Sequence, residues 1–369
     1  MSFQATAVAI QTGNPIHIQG GPGVGKSALM TAFAEGCEQH LETRIASLCD
    51  PTDFAGLPIN DGNGGVVYAP PRWAMNLTDA GGGVLFLDEI GGAPPTVQMG
   101  LLRVCLDKVV GDHALPQDTW VVACSNPTDQ TPGGFDFAPP LANRFCHLPW
   151  EFSFTMWING LTSGFPLPEF PRLPDSWRDF ILEGRTMVAS FLKARPEIVS
   201  ALPQEDANRS GAWPSPRSWT VAADMMGAVR SVNGDEGMLV EIVSGCVGKG
   251  PGAEFVQFVN ELDLPEPQEV LKAGKNFKLP KSGDKQFAIL NSTAAYAVQN
   301  MDLDIWNSMW AVLEGAADQG AVDVAAGVCP NLVKCFEEFA ERGEELPLVH
   351  SAIAAFIPML SQSGILKSK

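Results

Sequence analysis

The segment Gly20-Gly21-Pro22-Gly23-Val24-Gly25-Lys26-Ser27 constrains this chain more than any other, because of what flanks it. An apolar run, Ile16-His17-Ile18-Gln19, precedes it and a helical pattern opening with Ala28-Leu29-Met30 follows. A strand, a glycine turn and a helix start in that order build a cradle for phosphate. Gly21, Gly23 and Gly25, with Pro22 and Val24 between them, let successive backbone N–H groups fold round an anion, and the helix directs the positive end of its dipole to the same point. Lys26 is placed to reach the β- and γ-phosphates, and Ser27 to put its hydroxyl on Mg²⁺. The complete G-x-x-x-x-G-K-[ST] pattern in this context predicts a nucleoside triphosphate site.

Composition narrows what such a site can serve. With 369 residues and 45% hydrophobic content, the chain can bury a substantial core in two or three compact units. A net charge of −18 argues against a duplex-DNA motor, since phosphate binding rests on clustered Lys and Arg. No apolar stretch reaches the roughly 18 to 20 residues of a membrane span, and residues 1–12 lack the basic start of a secretion signal, so a cytoplasmic location is expected. The eight cysteines form no C-x-x-C pair and have no histidine at ligand spacing, which reads as reduced core thiols; the five histidines read as structural.

Taken in order, residues 1–15 form a helix and a loop ending at the breakers Gly13-Asn14-Pro15. After the phosphate loop, Leu29, Met30, Phe33 and Cys37 recur at helical spacing, and residues 44–48 read as a second strand. Residues 50–73 are irregular apart from a hairpin suggested by Asp61-Gly62-Asn63-Gly64-Gly65. For Trp73 at its end, pore lining and packing anchor remain equally open. The wholly apolar run Val84-Leu85-Phe86-Leu87 ends in Asp88-Glu89, as expected for a buried parallel strand whose carboxyl end faces a ligand. A helix over 94–106, a strand at 120–124 ending in Ser125-Asn126, and a short helix at 141–145 exposing Arg144 complete an alternating α/β pattern.

Character changes at the proline-rich run 165–174, after which helical patterns dominate. Ser215-Pro216-Arg217 is a cap, a first-turn proline and an arginine, the last opposing the helix dipole unless an anion is near. Further helices are expected over 238–247, 252–262, 288–297, 305–316 and 330–340.

These pieces resemble the AAA+ ATPases, and within them the MoxR type. The resemblance implies that residues 20–27 are Walker A and 84–89 Walker B, with Asp88 holding Mg²⁺ and Glu89 polarising the attacking water. It implies further that Asn126 is sensor 1, Arg144 an arginine finger acting on a neighbour's nucleotide, and Arg217 sensor 2 on a lid. Residues 50–57 and the hairpin resemble the family's insertion in helix 2. The chain departs from the commoner pattern at Gly91-Gly92, where an asparagine and a basic residue often follow, and shows no aromatic-glycine pore loop.

The fold expected is therefore α/β: a three-layer P-loop AAA+ core with a parallel sheet over 1–150, a Pro-rich linker over 151–176, a helical lid over 177–300 and a C-terminal helical extension over 301–369. The function expected is ATP hydrolysis, with ATP and Mg²⁺, in a homo-oligomeric ring, hexameric by resemblance. The ring would remodel or activate a protein client with a von Willebrand factor A domain partner. Two alternatives use the same core: a nucleic-acid motor or loader, and an assembly scaffold gated by slow hydrolysis.

Overall fold

Among the described residues, nine strands in chain order set the frame: β1 (Ile16–Gln19), β2 (Leu41–Ile45), β3 (Leu57–Asn60), β4 (Val66–Ala69), β5 (Gly83–Asp88), β6 (Val109–Val110), β7 (His113–Ala114), β8 (Thr119–Ser125) and β9 (Cys146–Pro149). They are described by a computed structural model covering residues 3–127, 130, 135, 137–165, 167–205, 209–262, 264–341 and 356.

Five of them pair in parallel in the order β2-β5-β8-β1-β9. Parallel pairing demands burial on both faces, and the runs Val84-Leu85-Phe86-Leu87 and Val121-Val122-Ala123-Cys124 are buried throughout. Register brings Gln19 opposite Ser125 and Ile45 opposite Asp88. The carboxyl ends of β1, β5 and β8 thus reach one edge of the sheet, where ligands bind in open α/β folds.

On one face, helix α1 (Phe3–Gln11) and helix α2 (Lys26–Gly36) cover the sheet, α2 burying Leu29, Met30 and Phe33. Phe33 meets Trp120 with ring centroids 5.9 Å apart. The other face carries a core that includes Phe54, Trp73, Leu85, Leu87, Leu101, Val121 and Phe145. Trp73 is buried with its Nε1 donating to the Asp53 carbonyl at 3.1 Å, so it is a packing anchor. The helix Glu236–Val247 comes so near β9 that a Cβ at Gly245 would lie 2.6 Å from the His147 carbonyl; only glycine permits that approach.

The second strand lies earlier than its expected place at 44–48. Residues 41–45 pair with β5 and Ala46–Leu48 turn as a short 3-10 helix. β2 is an edge strand of mixed polarity, so it lacks the apolar run that marks a central one. The expected hairpin forms from β3 and β4, antiparallel, with the Asp61 carboxylate accepting from the N–H groups of Asn63 and Gly65 at 2.8 Å each. Leu57, Ile59, Val66, Val67 and Tyr68 on it are exposed. Within 151–176 lies a helix, Phe154–Ser163, whose cap Ser153 accepts from the Met156 N–H.

Two compact units are present: Met1–Phe180 with Glu197–Val256, and Ile181–Pro196 with Gln257–Lys369. The segment 177–300 contributes to both, and the division falls inside the helix Lys249–Leu262. The second unit is helical, comprising Ile181–Ala194, Pro267–Ala273, Gly283–Gln299, Leu303–Asp318 and Val322–Glu341. Its core gathers Trp306, Met309, Trp310, Leu313 and Leu290, with the two indoles edge-on at 5.4 Å. The last helix starts eight residues before Pro330 and contains it, where the sequence suggests that proline as a first-turn residue. Beyond residue 341 the expected extension, Phe356 apart, lies outside the described residues. Among the described residues no helix is long and apolar enough to cross a membrane.

Candidate nucleotide site

The phosphate loop owes its shape to two left-handed residues, Gly23 at φ 72° and Gly25 at φ 90°. A Cβ at either would meet nothing within 4 Å, so the requirement for glycine is in the backbone and not in space. Gly25 caps α2, whose first internal bond runs from the Leu29 N–H to the Gly25 carbonyl at 2.9 Å. The first-turn N–H groups of α2 therefore stand at the cleft that Lys26, Ser27 and Ala28 line.

Both ends of the loop are tied to the sheet. The Gly20 N–H donates to the Ser125 carbonyl at 3.2 Å, and Trp150, next after β9, donates from Nε1 to the Val24 carbonyl at 3.1 Å. The cleft so formed measures about 510 Å³. Pro22, Asp88, Glu89, Asn126 and Gln130 complete its lining, together with Gly91, Gly92 and Ser125.

Lys26 is buried, and all three of its N–H groups are used within the protein. Nζ donates to Gly20 O at 2.7 Å, Gly21 O at 2.8 Å and Asn126 Oδ1 at 2.8 Å. Burial pulls its pKa below the ordinary lysine value, with Cys124 and Asp88 pulling it back. A phosphate entering the loop must therefore take over at least one of those donors, and the Asn126 amide is the partner that sits on a side chain. Lys26 and Asn126 are brought together across 100 positions of sequence.

Opposite them, Ser27 Oγ donates to Asp88 Oδ2 at 2.7 Å. A hydroxyl and one carboxylate fit Mg²⁺, which keeps much of its water and is held by one or two protein oxygens plus substrate phosphate. Among the described residues no cluster of three His, Cys, Asp or Glu side chains offers an all-protein cage instead.

Glu89 follows β5 in a left-handed conformation at φ 54°, rare for a residue with a side chain. Its N–H donates to Asp88 Oδ1 at 2.9 Å, and its own carboxylate accepts from Ser47 Oγ at 2.7 Å. Ser47 and Ser125 stand close to the loop after β5 because that loop is Gly91-Gly92. A Cβ at Gly92 would lie 3.0 Å from the Ser47 Cβ, and one at Gly91 3.2 Å from the Ser125 Cβ. A side chain at either position would crowd the serine beside it.

Arg144 and Arg217 lie outside the cleft lining but near each other. Arg144, in the turn after the helix Pro139–Ala142, donates from Nη1 to the Pro140 carbonyl, and its Nε is buried with no hydrogen-bond partner. Burial, then the charge of Arg217, lowers its pKa, opposed by Cys105 and Asp107. Arg217 is exposed in the first turn of the helix Pro216–Ser231, which Ser215 and Ser218 cap reciprocally. Ser215 Oγ also donates to Asn143 Oδ1 at 2.6 Å, so the two arginine-bearing segments are joined.

A phosphate loop on β1, a carboxylate pair on β5 and an amide after β8, on strands ordered β2-β5-β8-β1-β9, decide the fold. The core is a P-loop α/β fold built on a five-stranded parallel sheet. No family model matches the chain. Over 147 residues, 37% of this chain, it is 31% identical to midasin of Dictyostelium discoideum, and the match spans 2% of that protein's length. Among solved structures, a candidate ATPase of Cytophaga hutchinsonii is 17% identical with a TM-score of 0.43, covering 70% of this chain and 87% of that one.

The sequence alone does not point to Ser47, Ser125, Gln130 or Trp150 as site residues. Ser47, Ser125 and Trp150 are brought to the site by long-range pairings.

Proposed function

We propose that this chain is an ATP-hydrolysing AAA+ protein of the MoxR type. It works in a homo-oligomeric ring, hexameric by resemblance, that remodels or activates a protein client together with a von Willebrand factor A domain partner. The observation that carries the reading is the convergence of Lys26, Asn126, Ser27, Asp88 and Glu89 on one cleft.

In this reading the loop residues 21–27 bind the triphosphate, and Lys26 exchanges its Asn126 bond for phosphate oxygen. Ser27 and Asp88 hold Mg²⁺, which supplies charge neutralisation at the phosphates. Glu89 orients and polarises the attacking water, and Asn126, released by Lys26, fixes that water against the γ-phosphate. Phosphoryl transfer needs little else from the protein than position and charge.

Arg144 serves a neighbouring subunit's nucleotide. Its buried Nε without a partner and the guanidinium of Arg217 beside it both suit a site awaiting an anion. Ser47 holding Glu89 supports a gated cycle, in which water is engaged only once that bond opens. Phosphate release by the purified protein with ATP and Mg²⁺, compared with Glu89→Gln, tests the reading. Nucleotide retention without turnover in the variant supports it, and equal turnover removes Glu89 from the reaction.

A further inference from the structure

Two histidines in adjacent strands occupy a place that the reaction above does not use. His17 on β1 and His147 on β9 are direct partners in register, on a sheet face otherwise covered by Phe137 and Phe145. Their Nδ1 atoms are 3.0 Å apart. His17 Nε2 lies 2.8 Å from Ser125 Oγ, and His147 Nε2 lies 2.8 Å from the Ala142 carbonyl oxygen.

These contacts admit one proton arrangement when both rings are neutral. A carbonyl only accepts, so His147 carries its proton on Nε2 and presents a bare Nδ1. The 3.0 Å contact then requires the proton of His17 to sit on Nδ1, which leaves its Nε2 as acceptor from the Ser125 hydroxyl. Every bond points the same way: Ser125 Oγ–H to His17, His17 Nδ1–H to His147, His147 Nε2–H to Ala142 O. Burial, the charge of His147 and that of Lys26 keep His17 neutral, and burial lowers His147 to about 4. Among the described residues the charged group set against the pair is Lys26, and the hydrogen bond to the Ala142 carbonyl raises His147.

The two ends of this chain matter. Ser125 precedes Asn126, lines the cleft and accepts the Gly20 N–H through its carbonyl at 3.2 Å. Ala142 opens the turn that holds Arg144, while Asn143 in the same turn is bonded to the Ser215 cap of the Arg217 helix. We propose that His17 and His147 are positioning residues, forming with Ser125 a directional relay that fixes the Asn126 end of the cleft relative to the Arg144 turn. Given the ATPase reading, on which this rests, the relay ties the part of the site that reads a subunit's own γ-phosphate to the arginine that serves its neighbour.

The test has two arms. On the full chain labelled with ¹⁵N-histidine, long-range ¹H–¹⁵N spectra should show one Nδ1–H ring and one Nε2–H ring for this pair; two Nε2–H rings would overturn the proposal. For turnover, His17→Phe and His147→Phe should each lower kcat about ten- to a hundredfold, as expected for a small misplacement of catalytic groups. KM for ATP should stay within about threefold, and the double variant should be no worse than the worse single, since the two act as one unit. Unchanged kcat, a loss confined to KM, or additive losses would overturn it. Ser125→Ala, a smaller change that cuts the relay at its cleft end, gives the same comparison with His17→Phe should a Phe variant fail to fold. Absence of turnover in the unmodified chain sinks the ATPase reading instead, and the relay then stands or falls on the ring protons.

Discussion

Ser47 Oγ donates a 2.7 Å hydrogen bond to Glu89 Oε2, tying the turn after β2 to the carboxylate that follows β5. In the proposed reaction Glu89 polarises water through a free lone pair directed at that water, so Ser47 would both orient and restrain it. Ser47→Ala removes a charge-assisted bond worth about 1.5 to 3 kcal/mol. The expected result is a change in kcat of about tenfold with nucleotide affinity intact, read by steady-state phosphate release. A shift confined to KM would detach Ser47 from the chemical step.

Lys26 is the cation of the loop, and its removal should act on binding. Lys26→Ala leaves Gly20 O, Gly21 O and Asn126 Oδ1 without their donor and strips the phosphates of a charged partner. Calorimetric titration with an ATP analogue should show affinity reduced by about a hundredfold or more. Binding equal to the unmodified chain would place the nucleotide elsewhere.

Arg144→Ala should leave nucleotide binding intact while lowering turnover by about 10³-fold or more, the range for an arginine finger. Mixing with Lys26→Ala subunits should restore part of the activity, since those supply the arginine and the Arg144→Ala subunits supply the nucleotide. No rescue in such mixtures, with assembly verified, would confine Arg144 to its own subunit or to packing.

The buried histidines make stability depend on acid in a defined direction. Both have folded-state pKa values below the ordinary histidine value near 6.5, His147 at about 4. Between those values the unfolded chain binds more protons than the folded one, so the contribution of His147 is complete above pH about 6.5 and is lost as pH falls through about 4, and His17 acts in the same direction. For His147 the full loss is roughly 3 kcal/mol. Urea unfolding at pH 7 and pH 5 should show the decline, and His17→Phe with His147→Phe should flatten it. An equal slope in the double variant would assign the acid sensitivity to carboxylates.

Where a feature is written in neighbouring residues, the sequence carries it. The loop over 20–27, the apolar strand ending at Asp88, the hairpin around Asp61 and the Ser215 cap are all local patterns, and all appear where expected. Ser47 is another matter, since its partner lies 42 positions away and its own segment is a short turn after a half-exposed edge strand. The histidine pair is legible only once β1 and β9 are known to be adjacent, 130 residues apart. The helix Phe154–Ser163 announces itself through Ser153 alone, because nearly all its apolar residues are exposed and define no core-facing stripe. Pro330 misleads for the opposite reason: its usual place is a first turn, while here the helix core set by Ala325, Val328 and Leu332 runs through it.

In the proposed function the cleft at the carboxyl ends of β1, β5 and β8 grips a triphosphate and cleaves it. Phosphate release from ATP with Mg²⁺, measured across a range of protein concentrations for the unmodified chain and for Lys26→Ala, tests this most directly. Turnover should be saturable, rise more steeply than protein concentration as subunits assemble, and disappear in Lys26→Ala. Undetectable turnover, or turnover that survives the loss of Lys26, would contradict it.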